Sequence, residues 1–128
     1  MLRHPRIHLL EPLGYLDFVQ LMRRARLILT DSGGLQEEAP SLGVPVLVLR
    51  EATERPEVVR CGVARLLGRN PKRIVREAEF LLKSKRAYRR MSRAGNPYGD
   101  GKAARRIVEG VRYFFGLRRE KPVDFRGC

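Results

Sequence analysis

The chain has few of the residues on which several common classes of protein depend. Its 128 residues contain no tryptophan, two histidines and two cysteines, Cys61 and Cys128. These cysteines are too few and too far apart in sequence to indicate a disulfide framework or a zinc site. No apolar run approaches the roughly 18 residues of a membrane-spanning helix, and no signal-peptide pattern opens the chain. We therefore expect a cytoplasmic protein with no metal site and no membrane contact.

Acidic side chains are scarce relative to basic ones, with 14 against 27, and the formal net charge is +13. Most of the excess lies in residues 71–128, where it could serve binding to nucleic acid or to another anionic surface. These basic residues, however, fall mainly on the polar sides of apparent amphipathic helices. No zinc-finger, RNP or GXXG pattern accompanies them. A basic nucleic-acid-binding module therefore remains an alternative that the sequence does not favour.

The apolar fraction of 43% is typical of a globular domain, and strands and helices alternate along it. Short strands are predicted at residues 7–10, 27–29, 44–49 and 63–67. The second of these is apolar at every position, which is typical of a parallel strand covered on both faces. The pattern predicts an α/β, Rossmann-like, doubly wound parallel sheet that begins in mid-pattern, as the end of a larger domain. We assign residues 1–116 to this domain and 117–128 to a basic, frayed tail.

The predicted helices carry apolar residues at helical spacing. Tyr15 and Phe18 are predicted to be core residues of the first helix. In the long helix that opens at Asn70-Pro71, the buried stripe is expected to include Leu81 and Leu82. Asp100 follows a turn and is predicted to cap the last helix.

A turn with two glycines, Asp31-Ser32-Gly33-Gly34, separates the second predicted strand from a helix over residues 35–42. The absence of Cβ atoms at Gly33 and Gly34 would let a phosphate approach backbone N–H groups at a helix start. Glu37 and Glu38 lie near that predicted start. The simpler alternative is that Asp31 or Ser32 caps the helix and the glycines only turn the chain. The residues alone leave both readings open.

A charged loop, residues 50–57, follows the next predicted strand. Loops beyond the carboxyl ends of parallel strands are where open α/β sheets bind ligands. Pro56 suits the first turn of a helix, so Arg55 is expected at a defined helix start. The alternative is a solvated loop whose charges pair locally.

Three separated segments carry a more specific signal. The segments SGGLQEEAPSLG and TERPE, both within the run TDSGGLQEEAPSLGVPVLVLREATERPE, and the later NPYGDG resemble, in order and spacing, the non-hydrolysing UDP-N-acetylglucosamine 2-epimerases of bacteria. The resemblance covers about the last third of that family. It implies part of the C-terminal, UDP-binding domain of a two-domain glycosyltransferase-B architecture. A fragment of a glycosyltransferase with the same architecture is the alternative enzyme, and the combined motifs favour the epimerase.

The resemblance implies a role for each matching position in binding UDP-GlcNAc or UDP. Ser32, Gly33 and Gly34 would hold the diphosphate, and Arg55 would reach the UDP moiety from its loop. Glu38 would accept hydrogen bonds from the ribose hydroxyls. The two positions assigned to the base are Phe18, which would pack near the uracil, and Leu13. The family usually has glutamine at the position of Leu13, so any contact there must come from the backbone.

The family interconverts UDP-GlcNAc and UDP-ManNAc by eliminating UDP and adding it back, in cell-surface polysaccharide biosynthesis. The resemblance implies no organic cofactor, because carboxylates carry out the proton transfers. Those carboxylates belong to segments that these 128 residues do not match, so no catalytic residue is assigned here. The resemblance also implies that the full-length enzyme is homodimeric and that a complementary N-terminal chain could complete the site.

Overall fold

A computed structural model describes residues 4–128 of the chain. Residues 1–3, the first of the predicted UDP-binding domain, lie outside the described residues. Within the described range, three parallel strands form one sheet in the order β1 (Ile28–Thr30), β2 (Val46–Val48) and β3 (Ala64–Leu66). Each strand falls inside one predicted from its apolar sequence, or within one residue of it. The prediction of an α/β protein with a parallel sheet is therefore confirmed.

Six α-helices and one 3₁₀ turn surround the sheet within residues 4–128. They are α1 (Tyr15–Arg24), α2 (Gly33–Glu38), the 3₁₀ turn (Ala39–Leu42), α3 (Pro56–Arg60), α4 (Pro71–Lys83), α5 (Lys85–Ser92) and α6 (Ala103–Phe114). Gly43 ends the 3₁₀ turn with a φ of 67°, a left-handed conformation that glycine adopts without steric cost. The next strand can therefore start only three residues after Gly43.

Helices cover both faces of the sheet, as a doubly wound arrangement requires. One face buries Val46, Val48 and Ala64 against residues of α1, α3 and the segment after β1. The opposite face buries Leu47 against Leu81 of α4 and Met91 of α5. Because β2 is central, its three residues are all fully buried, which explains why its sequence is apolar throughout.

The predicted strand at residues 7–10 is wrong. These residues form neither helix nor strand, and the side chains of Ile7, Leu9 and Leu10 are 55–76% exposed. A strand needs a neighbour to pair its backbone groups, and within residues 4–128 the sheet consists of β1, β2 and β3 alone. The apolar residues at positions 7–10 therefore have no neighbouring strand with which to form backbone hydrogen bonds.

Some details of the helices also differ from the prediction. Tyr15 is 66% exposed and Leu82 is 53% exposed, so neither belongs to the core, whereas Phe18 packs against it as predicted. Glu37 and Glu38 are the last residues of α2, not early ones, because the helix begins at Gly33 and changes to a 3₁₀ turn after Glu38. The spacing of apolar residues predicted these helices, but it did not predict which helix face packs against another part of the protein.

Asp100 lies just before α6. Its carboxylate accepts a hydrogen bond from the Lys102 backbone N–H at 3.1 Å and two from Arg106, at 2.7 and 2.8 Å. The helix itself begins at Ala103, after Lys102, so Asp100 holds the approach to α6 and is not its cap residue. The Arg106 hydrogen bonds keep the pKa of the Asp100 carboxyl well below its ordinary value.

Residues 117–128 contain no helix or strand, yet they lie along α6. Arg118 pairs with Glu109 at 3.0 Å, and the Arg106 guanidinium lies 5.6 Å from the centre of the Phe125 ring. A disulfide bond joins Cys61 to Cys128, with the two Cα atoms 5.5 Å apart. The sequence analysis did not predict this single bond, because distance along the chain does not determine distance in the fold. Fraying of the tail stays a prediction.

None of the helices within residues 4–128 combines the length and the apolar character that crossing a membrane requires. The longest of them, α4, has 13 residues.

Candidate functional site

The candidate site lies at the edge of the sheet where β1 and β2 end. Thr30 and Val48 are the last residues of these strands, and they are paired neighbours in the parallel sheet. The Ser32 turn follows the first strand and the Arg55 loop follows the second. Because parallel strands end at the same edge, the two predicted UDP-contacting segments are brought side by side.

The Ser32 turn leaves its hydroxyl free of a capping role. The Ser32 backbone N–H donates to the Thr30 hydroxyl at 3.0 Å, and the Ser32 side chain makes no capping hydrogen bond to α2. The first N–H groups of a helix have no partner inside the helix. A Cβ atom built at Gly33 would meet nothing within 4 Å, so there is open space beside these groups. The capping alternative for Ser32 is therefore not supported.

Arg55 is held by Glu37 across the gap between the two segments. Its Nε donates to the Glu37 carboxylate, and its Nη1 donates to the Glu54 carbonyl at 3.2 Å. Donating this hydrogen bond to the Glu37 carboxylate raises the pKa of Arg55 above its ordinary value. Both side chains of the pair are about two-fifths exposed, at 40% and 42%. An ion pair this exposed is weak, so a phosphate group could displace Glu37 from Arg55.

Behind this pair lies a buried amide that sequence reasoning missed. Gln36 is fully buried, and its Nε2 donates to the Ser32 carbonyl at 3.2 Å. Its Oε1 accepts a hydrogen bond from the Thr53 hydroxyl at 2.5 Å. Within residues 4–128, every buried side-chain nitrogen or oxygen has a hydrogen-bond partner. Local sequence gave no signal for this contact, because Gln36 is followed in the same short helix by two more polar residues, Glu37 and Glu38.

The remaining predicted residues are more dispersed. Glu38 is half-buried at the end of α2, and Phe18 of α1 is half-buried against the core. Leu13 lies in the irregular segment before α1 and is 42% exposed. Gly34 is exposed at the start of α2, beside the Ser32 side chain.

The NPYGDG turn brings a residue to the site to which sequence reasoning gave no role. Burial raises the pKa of the Tyr98 hydroxyl, and the nearby carboxylates of Glu57 and Glu37 raise it further, against the opposing charge of Arg55. Asn96 anchors the turn by donating to the Ser41 hydroxyl at 2.8 Å. Tyr98 therefore lies within range of the charges of Arg55 and Glu37. In the sequence, its place in the NPYGDG motif was the one sign of a role at this site.

Cavity volume does not identify this site. A cavity of about 640 Å³ is lined by Arg60, Arg65, Arg73, Glu77 and other residues around β3, and by none of the predicted UDP-contacting residues. Charge and free backbone groups are a better guide to a diphosphate site than volume, because such a site can lie at an open edge. Among residues 4–128, no three His, Cys, Asp or Glu side chains are grouped to hold a metal ion.

The family model for UDP-N-acetylglucosamine 2-epimerase matches residues 1–112 of this chain. The chain belongs to the UDP-N-acetylglucosamine 2-epimerase family. It is 52% identical over 122 residues to the UDP-N-acetylglucosamine 2-epimerase of Bacillus subtilis, covering 95% of this chain and 32% of that protein. The family resemblance inferred from the three sequence motifs is therefore confirmed.

Solved structures of the family share the fold. The crystal structure of a putative UDP-N-acetylglucosamine 2-epimerase from Listeria monocytogenes superposes with a TM-score of 0.90 at 48% identity, over 97% of this chain and 33% of that one. The epimerase from Neisseria meningitidis bound to UDP-GlcNAc has a TM-score of 0.79 at 49% identity, over 83% and 29% of the two chains. The predicted partial glycosyltransferase-B-type fold is thereby confirmed. The chain spans about a third of the length of these relatives.

Proposed function

We propose that this chain supplies the UDP-binding side of a UDP-GlcNAc 2-epimerase. The observation that carries the proposal is the meeting of the Ser32 turn and Arg55 at one edge of the sheet, with Arg55 held only by an exposed ion pair to Glu37. Membership of the epimerase family and the relative from Neisseria meningitidis bound to UDP-GlcNAc support it.

In this proposal the diphosphate lies between the turn and the loop. The Ser32 hydroxyl and the backbone N–H groups of Gly33 and Gly34 donate to its oxygens from one side. From the other side, Arg55 exchanges Glu37 for phosphate oxygens, which can likewise accept hydrogen bonds from the planar guanidinium. The tighter interaction is with the diphosphate, because it carries more charge than one carboxylate.

The nucleoside is assigned to residues farther from the turn. Glu38 accepts from the ribose hydroxyls, and Phe18 packs near the uracil. Leu13 has no hydrogen-bonding side chain, so any base contact there comes from its backbone.

In the whole enzyme, these groups act on UDP as the leaving group. Donors already in place at the Ser32 turn and at Arg55 stabilise the negative charge that develops on UDP as its bond to the sugar breaks. The proton transfer at C2 of the sugar needs a base, and we assign none to these 128 residues. A complementary N-terminal segment, homodimeric assembly and a cytoplasmic location belong to this proposal.

The proposal predicts that the 128-residue chain binds UDP saturably in isothermal titration. We expect UMP to bind at least roughly tenfold more weakly, because it lacks the β-phosphate that the Ser32 turn and Arg55 share. Uridine should bind more weakly still. A folded chain that takes up no UDP at millimolar concentration would contradict the proposal.

We also expect the isolated chain to convert no measurable UDP-GlcNAc to UDP-ManNAc. Binding groups alone hold the leaving group but do not move the C2 proton. The measurement is product formation by chromatography, beside a full-length relative as the positive control. Turnover close to that of the relative would show that a base resides in these residues.

A further inference from the structure

We infer that Gln36 and Thr53 form a hydrogen-bonded relay that positions Arg55 relative to the Ser32 turn. The inference rests on the proposed UDP site and assigns two positioning residues to it. Neither residue is placed where it must touch the nucleotide. They connect the two segments that do.

The direction of each hydrogen bond in the relay follows from chemistry. The Ser32 carbonyl can only accept, so the amide nitrogen of Gln36 must face it and the amide oxygen must face Thr53. The Thr53 hydroxyl must then donate its proton to Gln36. The remaining lone pairs of that hydroxyl accept the Arg55 backbone N–H at 3.0 Å. The chain of donors therefore runs in one sense, and each bond polarises the next.

Each end of the relay fixes a group of the proposed site. The Ser32 carbonyl and the Gly33 N–H belong to one planar peptide and point in opposite directions. Holding the carbonyl toward Gln36 therefore directs the Gly33 N–H away from α2, toward the open space beside the turn. At the other end, the Arg55 backbone is fixed as the residue that precedes α3.

Burial makes the relay specific. Gln36 is fully buried. Its amide nitrogen donates to the Ser32 carbonyl and its amide oxygen accepts from the Thr53 hydroxyl, so both ends of the amide are paired within the relay. Removing the Thr53 hydroxyl leaves a buried amide oxygen without a partner, which is unfavourable. Gln36 and Thr53 thus link the Ser32 turn directly to the Arg55 loop.

The test uses Thr53→Val, which keeps the branched shape and removes the hydroxyl, with Thr53→Ser as the conservative variant. We expect Thr53→Val to weaken UDP binding roughly 5- to 10-fold and Thr53→Ser to restore it to within about twofold. In an Arg55→Ala background, Thr53→Val should change UDP affinity less than about twofold, because the Thr53 hydroxyl holds the Arg55 end of the relay, whereas the hydrogen bond from Gln36 to the Ser32 carbonyl does not involve it. A purely structural role would give the same loss in both backgrounds, and that result would overturn the inference.

A second readout does not depend on UDP. The Arg55 backbone N–H donates into the relay, so its hydrogen exchange, followed by NMR, should quicken roughly tenfold in Thr53→Val and stay near wild type in Thr53→Ser. If hydrogen exchange of the Arg55 N–H were unchanged in Thr53→Val, the inferred relay would be wrong, whatever the effect on UDP affinity. Faster exchange in Thr53→Val, together with a wild-type chain that binds no UDP, would support the relay and reject the proposed function. Gln36→Leu is a secondary variant, since a fully buried position also affects folding.

Discussion

Replacing Arg55 with alanine is expected to weaken UDP binding by roughly 10- to 100-fold, the range for losing a hydrogen-bonded charge partner of a phosphate. The physical reason is that Arg55 is the cation that the structure places opposite the Ser32 turn, where the diphosphate is proposed to lie. Removing it also leaves Glu37 unpaired beside that diphosphate, and the like charges repel. Isothermal titration of UDP into the wild type and the variant measures the effect.

Arg50 provides a matched control in the same loop. It is an arginine paired with a carboxylate, Glu54 at 2.8 Å, and Arg50→Ala changes the net charge by the same amount. We expect Arg50→Ala to alter UDP affinity less than about threefold. Arg55→Lys should be intermediate, because lysine keeps the charge but not the planar fork that fits a phosphate. If Arg50→Ala and Arg55→Ala lost UDP affinity equally, Arg55 would contribute only through the net positive charge of the loop and not through a direct contact.

Breaking the bond between Cys61 and Cys128 is expected to lower the free energy of unfolding by about 4 kcal/mol. The bond closes a loop between residues 67 positions apart, and a cross-link of that span restricts the unfolded chain strongly. It also ties the end of the tail to Cys61, which directly follows α3. Urea unfolding of Cys128→Ser and of the wild type, both without reductant, measures the difference.

A reductant is the internal control for this prediction. Adding a dithiol to the wild type should reproduce the loss seen in Cys128→Ser, whereas the variant itself should not respond. Cys61→Ser should match Cys128→Ser, and the double variant should add nothing further, since one bond is lost in each case. Two reactive thiols in the denatured, unreduced wild type would show that the bond does not form. Such bonds are rare in reducing compartments, so the result also bears on the expected cytoplasmic location.

Much of the fold could be read from local sequence because each signal was local. The apolar run over residues 44–49 predicted a strand, and β2 lies within it. The prediction that residues 27–29 are covered on both faces is wrong, because β1 lies at the edge of the described sheet and Leu29 is 45% exposed. The strand expected near Ile7 failed for a different reason. Apolar character is a property of the segment, but strand formation depends on a neighbour elsewhere in the chain.

The candidate site divides in the same way. The Ser32 turn and the Arg55 loop could be found from motifs and from their positions after buried strands. Their partners could not, because the Arg55–Glu37 pair and the Gln36–Thr53 hydrogen bond join residues 17 or 18 positions apart. Tyr98 comes from a still more distant turn, and its hydroxyl is influenced by the charges of Glu37 and Arg55. No local pattern encodes which side chains meet once β1 and β2 pair.

The sequence by itself determined the family, the parallel α/β class and the residue types offered to a diphosphate, because these depend on composition, periodicity and short motifs. Only the tertiary structure decided that the Ser32 side chain makes no capping hydrogen bond, that Glu37 holds Arg55, and that Gln36 connects the turn to the loop. It also decided that Cys128 returns to Cys61. These are contacts between distant segments, and they exist only where packing of the sheet and its helices brings the segments together.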